Sequence, residues 1–175
     1  NGLERMQTPE NRVNLVLAQC GDTVGRPERI LWELATRLPV ARFHVQAWLT
    51  DAPALDELAA ALGDRDVQVE RLPGVVSPWD LRRRLLMRFR VRRARLNLIH
   101  LFLDRPGDGP AMALAEAANA SLVVSLHDSP SDWAAPEARR TLERARMIAA
   151  PYTAMAERVA TAHGLDRERV RWVPF

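Results

Sequence analysis

Hydrophobic positions along the chain fall into short runs that alternate with longer, periodically apolar stretches, the pattern of strands interleaved with helices. Val13, Leu15, Val16 and Leu17 form the first run, followed by Cys20-Gly21-Asp22-Thr23-Val24-Gly25. Pro27 then opens a segment in which Ile30, Leu31, Leu34, Ala35 and Leu38 recur at helical spacing, with proline at a tolerated first helical position. The rhythm predicts a strand over 43–50, a helix over 53–62 closed by Gly63, a strand over 67–72 and a long Arg-rich helix over 78–95. It continues with a strand over 98–103, a helix over 110–118, a strand over 122–126 and a helix over 136–146. A short strand over 147–150, a helix over 153–163 closed by Gly164 and a last strand over 169–173 complete it. The runs at 98–103 and 122–126 are almost wholly apolar, as in parallel strands buried on both faces. Roughly seven strands alternating with helices predict an α/β fold, a doubly wound Rossmann-like parallel sheet with helices on both faces.

Such a sheet binds ligands outside the carboxyl ends of its strands, where helix N-termini gather anions. That singles out four loops, 21–26, 50–52, 104–109 and 127–133. The size of the chain, 175 residues, suits one such domain, expected over 13–175. Residues 1–12 carry no apolar central run and read as a disordered leader or cloning remnant rather than a secretory signal. The longest stretch without a charged side chain runs only from Ala117 to His127, too short to span a bilayer. A cytoplasmic location is expected.

Charge changes the picture locally. All 25 basic residues are Arg and the net charge is only +3, but the stretch from Trp79 to Asn97 holds eight Arg against one Asp. Its +7 leaves the rest of the chain at −4. Helical spacing puts Leu81, Leu85, Phe89 and Leu96 on one stripe, expected to pack on the core. Arg83, Arg84, Arg88, Arg90 and Arg95 then form a solvated basic face. The alternative for Arg83, Arg84, Arg88 and Arg90 is contact with an anionic acceptor or with anionic lipid at the inner membrane face. Aromatic interleaving is too sparse for a nucleic-acid site.

The lone Cys20 offers no disulfide or C-x-x-C chemistry, and no G-x-S-x-G, H-E-x-x-H or Cys/His cluster suggests a hydrolase or metalloenzyme. The 21–26 loop is a plausible anion cradle or a plain strand-to-helix turn. Asp108 or Gly109 in Gly107-Asp108-Gly109-Pro110 can simply cap a helix. His127 can be a core histidine or a crevice residue, with Asp128 orienting its ring or capping the next segment; it is expected at the mouth of the cleft, its ring reachable from the first glycine loop. His100, between Ile99 and Leu101, is expected to be buried and hydrogen-bonded. His44 and His163 show no ligand spacing and read as structural or solvated. An NAD-dependent dehydrogenase is disfavoured: Asp51 is the one acidic candidate after the second strand, and the glycine fingerprint is missing.

Gly25-Arg26-Pro27-Glu28-Arg29, followed by Glu33-Leu34-Ala35 and Leu38, resembles the glycine loop and first helix of group 1, family 4-like glycosyltransferases of the GT-B fold, where the loop reads Gly-Gly-x-Glu-Arg. Leu98-Ile99-His100 is similar to that family's Asp-Val-Val-His-x-His, and Val123-Val124-Ser125-Leu126-His127-Asp128 to its Val-x-Thr-x-His-Asp. Met147 to Ala150 and Val170 to Pro174 fall where the family has its later strands. Arg26 replaces the second loop glycine, Asn97 an Asp, Phe102 the second His and Asn119 a Gly. The resemblance implies the N-terminal, acceptor-binding half of a two-domain enzyme, inactive without the C-terminal donor domain that it lacks. It implies transfer from a nucleotide-diphosphate sugar to a hydroxyl acceptor, a sugar or a lipid-linked group, with no metal and no cofactor. His127 and Asp128 would be catalytic, and Gly25, Arg26, His100 and Gly109 would bind acceptor or phosphate. The rival reading is a non-catalytic Rossmann-like module with a basic, membrane- or anion-contacting helix.

Overall fold

The computed structural model describes residues 12–21, 25–72, 81–103, 114, 120–127, 133 and 136–174, with backbone alone for 81–84 and 136–137. The strands are β1 (Val13–Gln19), β2 (Phe43–Thr50), β3 (Gln68–Leu72), β4 (Leu98–Leu103), β5 (Ser121–Leu126), β6 (Met147–Ala150) and β7 (Val170–Trp172). Between them run α1 (Arg26–Arg37), α2 (Asp56–Gly63) after a 3₁₀ turn at Pro53–Leu55, α3 (Leu81–Arg93), α4 (Pro136–Arg144) and α5 (Thr153–His163). The predicted helix over 110–118 lies outside the described residues except for Leu114, which is helical and buried.

All seven strands pair in parallel in the order β3-β2-β1-β4-β5-β6-β7. The sheet is therefore doubly wound, with its switch point between β1 and β4. Alternation along the strands feeds two cores. On one face Leu15, Leu17, Ala47, Leu49 and Phe102 pack with Leu31 and Ala35 of α1 and Leu62 of α2. On the other, Val16, Ala18, Leu101, Val124 and Ile148 pack with residues of α3, α4 and α5.

Local chemistry explains how these elements end. Gly164 takes a left-handed φ of +62° after α5, as the sequence predicts. Gly63 does not close its helix: α2 runs through it, and the left-handed turn falls on Asp66, at φ +59°, which tolerates that conformation better than most side chains. Of the stripe expected on the core, Leu96 packs there just after α3 and the Leu81 side chain lies outside the described residues, but within the helix the register is different. Met87 and Val91 are the buried pair, whereas Leu85 and Phe89 are each 63% exposed. Arg90 reaches across to donate from Nη1 to the Arg71 carbonyl at 3.0 Å, tying α3 to β3.

Candidate functional site

The switch point is built on the carboxyl ends of β1, β4 and β5, where a doubly wound sheet binds its ligands. Register places Gln19 beside Phe102, and Phe102 beside Ser125. Paired residues share a face, so Gln19, Phe102 and Ser125 form one row on the α1 side, with His100 one row below on the same face. His127 follows β5 directly.

Glu28 completes this row from α1. Gln19 Nε2 donates to Glu28 Oε1 at 2.8 Å, and the Gly25 N–H donates to the other carboxylate oxygen. Glu28 lies at the third helical position, where a carboxylate reaches back to the N-cap backbone as half of a capping box. It is almost fully buried, and burial pushes its carboxyl pKa up; hydrogen bonds from the Glu28 and Gly25 backbone pull the other way without cancelling this. Thr50 Oγ1 donates to the Gln19 carbonyl at 3.1 Å, fixing the end of β1 against β2.

This arrangement bears on the anion cradle. The first turn of a helix offers a few backbone donors, but here Gly25 already serves Glu28, and Pro27 has no N–H. An internal carboxylate occupies the place an external anion would take. Gly25 itself has an extended φ of −176°, and a Cβ added there would meet Glu28 at 3.8 Å and Pro27 at 3.9 Å, ordinary contacts. Neither conformation nor space inside the fold requires glycine at this position. Arg26 is exposed at the start of α1.

On the β4–β5 side, His100 Nε2 and Ser125 Oγ are 2.7 Å apart. The His100 ring stacks on Phe102 with centroids 4.4 Å apart, and Phe102 lies 6.2 Å from the His127 ring at the same 22° tilt. Phe102 is thus a buried apolar spacer between two imidazoles. Burial, then the coulombic effect of the neighbouring His127, lowers the His100 pKa from 6.5 to about 4. His100 is neutral at physiological pH and acts there through hydrogen bonding rather than charge.

His127 lies at the carboxyl edge of the sheet, as expected, but not at an open mouth: it is 3% exposed. Its N–H donates to the Leu103 carbonyl at 3.1 Å. Its own carbonyl accepts from the Trp133 indole at 2.8 Å, and the Trp133 carbonyl accepts from His163 Nε2 at 2.6 Å. A relay from α5 through Trp133 therefore fixes the end of β5. His163 is buried and structural, while His44 is exposed.

Of the other site residues expected from sequence, Asp128 and Gly109 lie outside the described residues, as do the side chains of Arg83 and Arg84. Arg88 is exposed on α3, away from the sheet. Asp51 is exposed after β2. Among the described residues no group of three or more His, Cys, Asp or Glu side chains could hold a metal ion. Sequence reasoning missed Gln19, Ser125 and Trp133 as parts of the site, and missed that Glu28 turns inward. Polar residues ending otherwise apolar runs, and a Glu three positions after Gly25, were the available signals.

Comparison with known proteins identifies the class. The model of Glycosyltransferase Family 4 matches residues 27–174, and the chain belongs to that family. No curated protein sequence matches it significantly. A glycosyltransferase from Rickettsia africae ESF-5 superposes with a TM-score of 0.65 at 12% identity, over 94% of this chain and 43% of that one. Anabaena Alr3699/HepE, solved with UDP-glucose, superposes with a TM-score of 0.66 at 19% identity, over 93% of this chain and 44% of its own. The same protein solved with UDP and glucose gives 0.60 at 20% identity, over 93% and 44% of the two chains. The shared fold is the Rossmann-like domain of GT-B glycosyltransferases, and the chain spans less than half the length of these structures.

Proposed function

We propose that this domain holds the acceptor side of a sugar transfer, in which a glycosyl group passes from a nucleotide-diphosphate sugar to a hydroxyl acceptor. The observation that carries the reading is the polar row at the switch point, Gln19 with Glu28 on one side and His100 with Ser125 on the other, in a family 4 chain. Neutral amide, imidazole and hydroxyl groups around a buried aromatic ring suit an uncharged polyol, because they donate and accept without demanding a counter-ion. Structures of similar fold with UDP and UDP-glucose support a nucleotide sugar as donor.

In this reading His127 and Asp128 stand closest to the transferred sugar, Gly25, Arg26, His100 and Gly109 line the acceptor side, and no metal or cofactor takes part. A second domain would hold most of the donor, and catalysis would come from positioning and from stabilising the departing diphosphate. A lipid-linked acceptor would bring the domain to a membrane surface, where the Arg-rich helix would meet anionic headgroups.

The test is nucleotide release by the intact protein across a panel of nucleotide-diphosphate sugars and acceptors. His127→Ala should lower kcat by one or more orders of magnitude, as loss of a positioned polar group commonly does. A mutant that melts lower but turns over normally would remove His127 from the site. One observation favours a non-catalytic binding module instead: Glu28 already fills the first turn of α1. That reading prevails if the intact protein releases no nucleotide with any donor.

A further inference from the structure

The register of α3 leaves an apolar ridge in solvent. Leu85, Leu86 and Phe89 are 63%, 55% and 63% exposed, while Met87 and Val91 face the core. Successive helical residues turn by about 100°, which puts these three on the side opposite Met87 and Val91. Arg92 and Arg93, both exposed, fall in the same arc, and exposed Arg88 lies on its flank. No Asp or Glu occurs from Leu81 to Leu103, so nothing in this element offsets the charge. Because β3 ends and β4 begins at opposite edges of the sheet, α3 starts from the carboxyl edge. Leu85 and Leu86 therefore lie toward the carboxyl end of the sheet.

Single exposed apolar residues are ordinary; an adjoining Leu-Leu-Phe ridge among cations is a contact surface. A polyanion such as nucleic acid would engage the Arg and leave the ridge wet. An apolar protein groove would engage the ridge and leave the Arg uncompensated. An anionic bilayer satisfies both, with apolar side chains in the headgroup–acyl boundary and guanidinium groups among the phosphates. We propose that this face of α3 docks the protein on an anionic lipid surface, Leu85, Leu86 and Phe89 entering the bilayer and Arg88, Arg92 and Arg93 binding lipid phosphate. Arg90, held by the Arg71 carbonyl, anchors the helix to the sheet instead. The proposal deepens the membrane contact in the reading above, but vesicle binding needs no donor or acceptor, so it can fail while sugar transfer stands, and the reverse.

Co-sedimentation of the full-length protein with phosphatidylcholine vesicles, with and without phosphatidylglycerol, tests it. Binding is expected only with the anionic lipid. Replacing Arg88, Arg92 and Arg93 together by Gln should weaken it about a hundredfold. Leu85→Ser with Phe89→Ser should weaken it at least about tenfold and abolish the part that survives high salt. All five positions are exposed, so unchanged melting temperatures are expected. A Phe89→Cys variant carrying an environment-sensitive fluorophore should shift to the blue on anionic vesicles. Equal binding to both vesicle types, or no fluorophore shift, overturns the proposal. So does a single-stranded oligonucleotide binding as tightly with the same salt slope, or a dimer that the Leu85/Phe89 double variant abolishes.

Discussion

The Glu28 carboxylate answers two donors, the Gln19 amide and the Gly25 N–H, in a nearly fully buried position. Replacing Glu28 by Ala strands a buried amide and should cost about 1–3 kcal/mol, read as a lower urea midpoint. Gly25→Ala is the complementary probe. The fold has room for a methyl group there, but glycine outranks alanine at an N-cap, so stability should fall by no more than about 1 kcal/mol. A loss of substrate affinity in that variant would then report close approach of a ligand to the loop. His100 gives a pH prediction. Its pKa is near 6.5 in the unfolded chain and about 4 in the fold, so the unfolded state binds the proton first as pH falls. Its contribution is intact above pH 6.5 and is lost between there and about 4, by up to about 3 kcal/mol. His100→Gln should flatten that limb of the stability curve; an unchanged limb would assign it to other groups.

At the scale of elements, what the sequence reveals depends on whether one packing solution dominates. β2, β4, β6 and α5 match their predicted bounds because an apolar run between turn residues, or a helix before glycine, admits one reading. In α3 two stripes satisfy the same helical spacing, Leu85 with Phe89 and Met87 with Val91, and hydrophobicity cannot choose between them. Contact with the sheet does, burying the Met87–Val91 side. His163 was opaque for a similar reason: its partner, the Trp133 carbonyl, lies 30 residues away. Arg169 was opaque as well. From just before β7 its Nη2 donates to the Glu143 carbonyl at 2.8 Å and to the Ala145 carbonyl, collecting groups that α4 leaves unpaired at its C-terminus. Arg169→Ala should therefore lower stability by about 1–3 kcal/mol. Arg169→Lys should recover part of the loss, since an ammonium reaches fewer of these carbonyls than a guanidinium fork. Thermal unfolding of the two variants separates this cap from a bystander, for which both would melt like the parent.

For the whole molecule, the decisive relation is between a continuous seven-stranded sheet and a site that occupies one edge of it. Both faces of β1 and the core-facing sides of its neighbours are filled from within the chain, and the two apolar clusters need no outside partner to close around Trp48, Leu31 and Leu101. The 175-residue chain is accordingly expected to unfold in one cooperative transition. The polar row lies inside the same packing: Gln19 and Ser125 are fully buried and Glu28 nearly so. Its members pair with one another, Gln19 with Glu28 and His100 with Ser125. Matched structures extend to more than twice the length covered here, so the reading of this domain as an acceptor half places the donor's main contacts elsewhere. The expected result is cooperative unfolding of the 175-residue chain with no measurable turnover of any nucleotide sugar and only weak nucleotide binding by calorimetry. Turnover by this chain alone, or submicromolar affinity for a nucleoside diphosphate, would move the donor site into this domain and reassign the switch-point row from acceptor to donor.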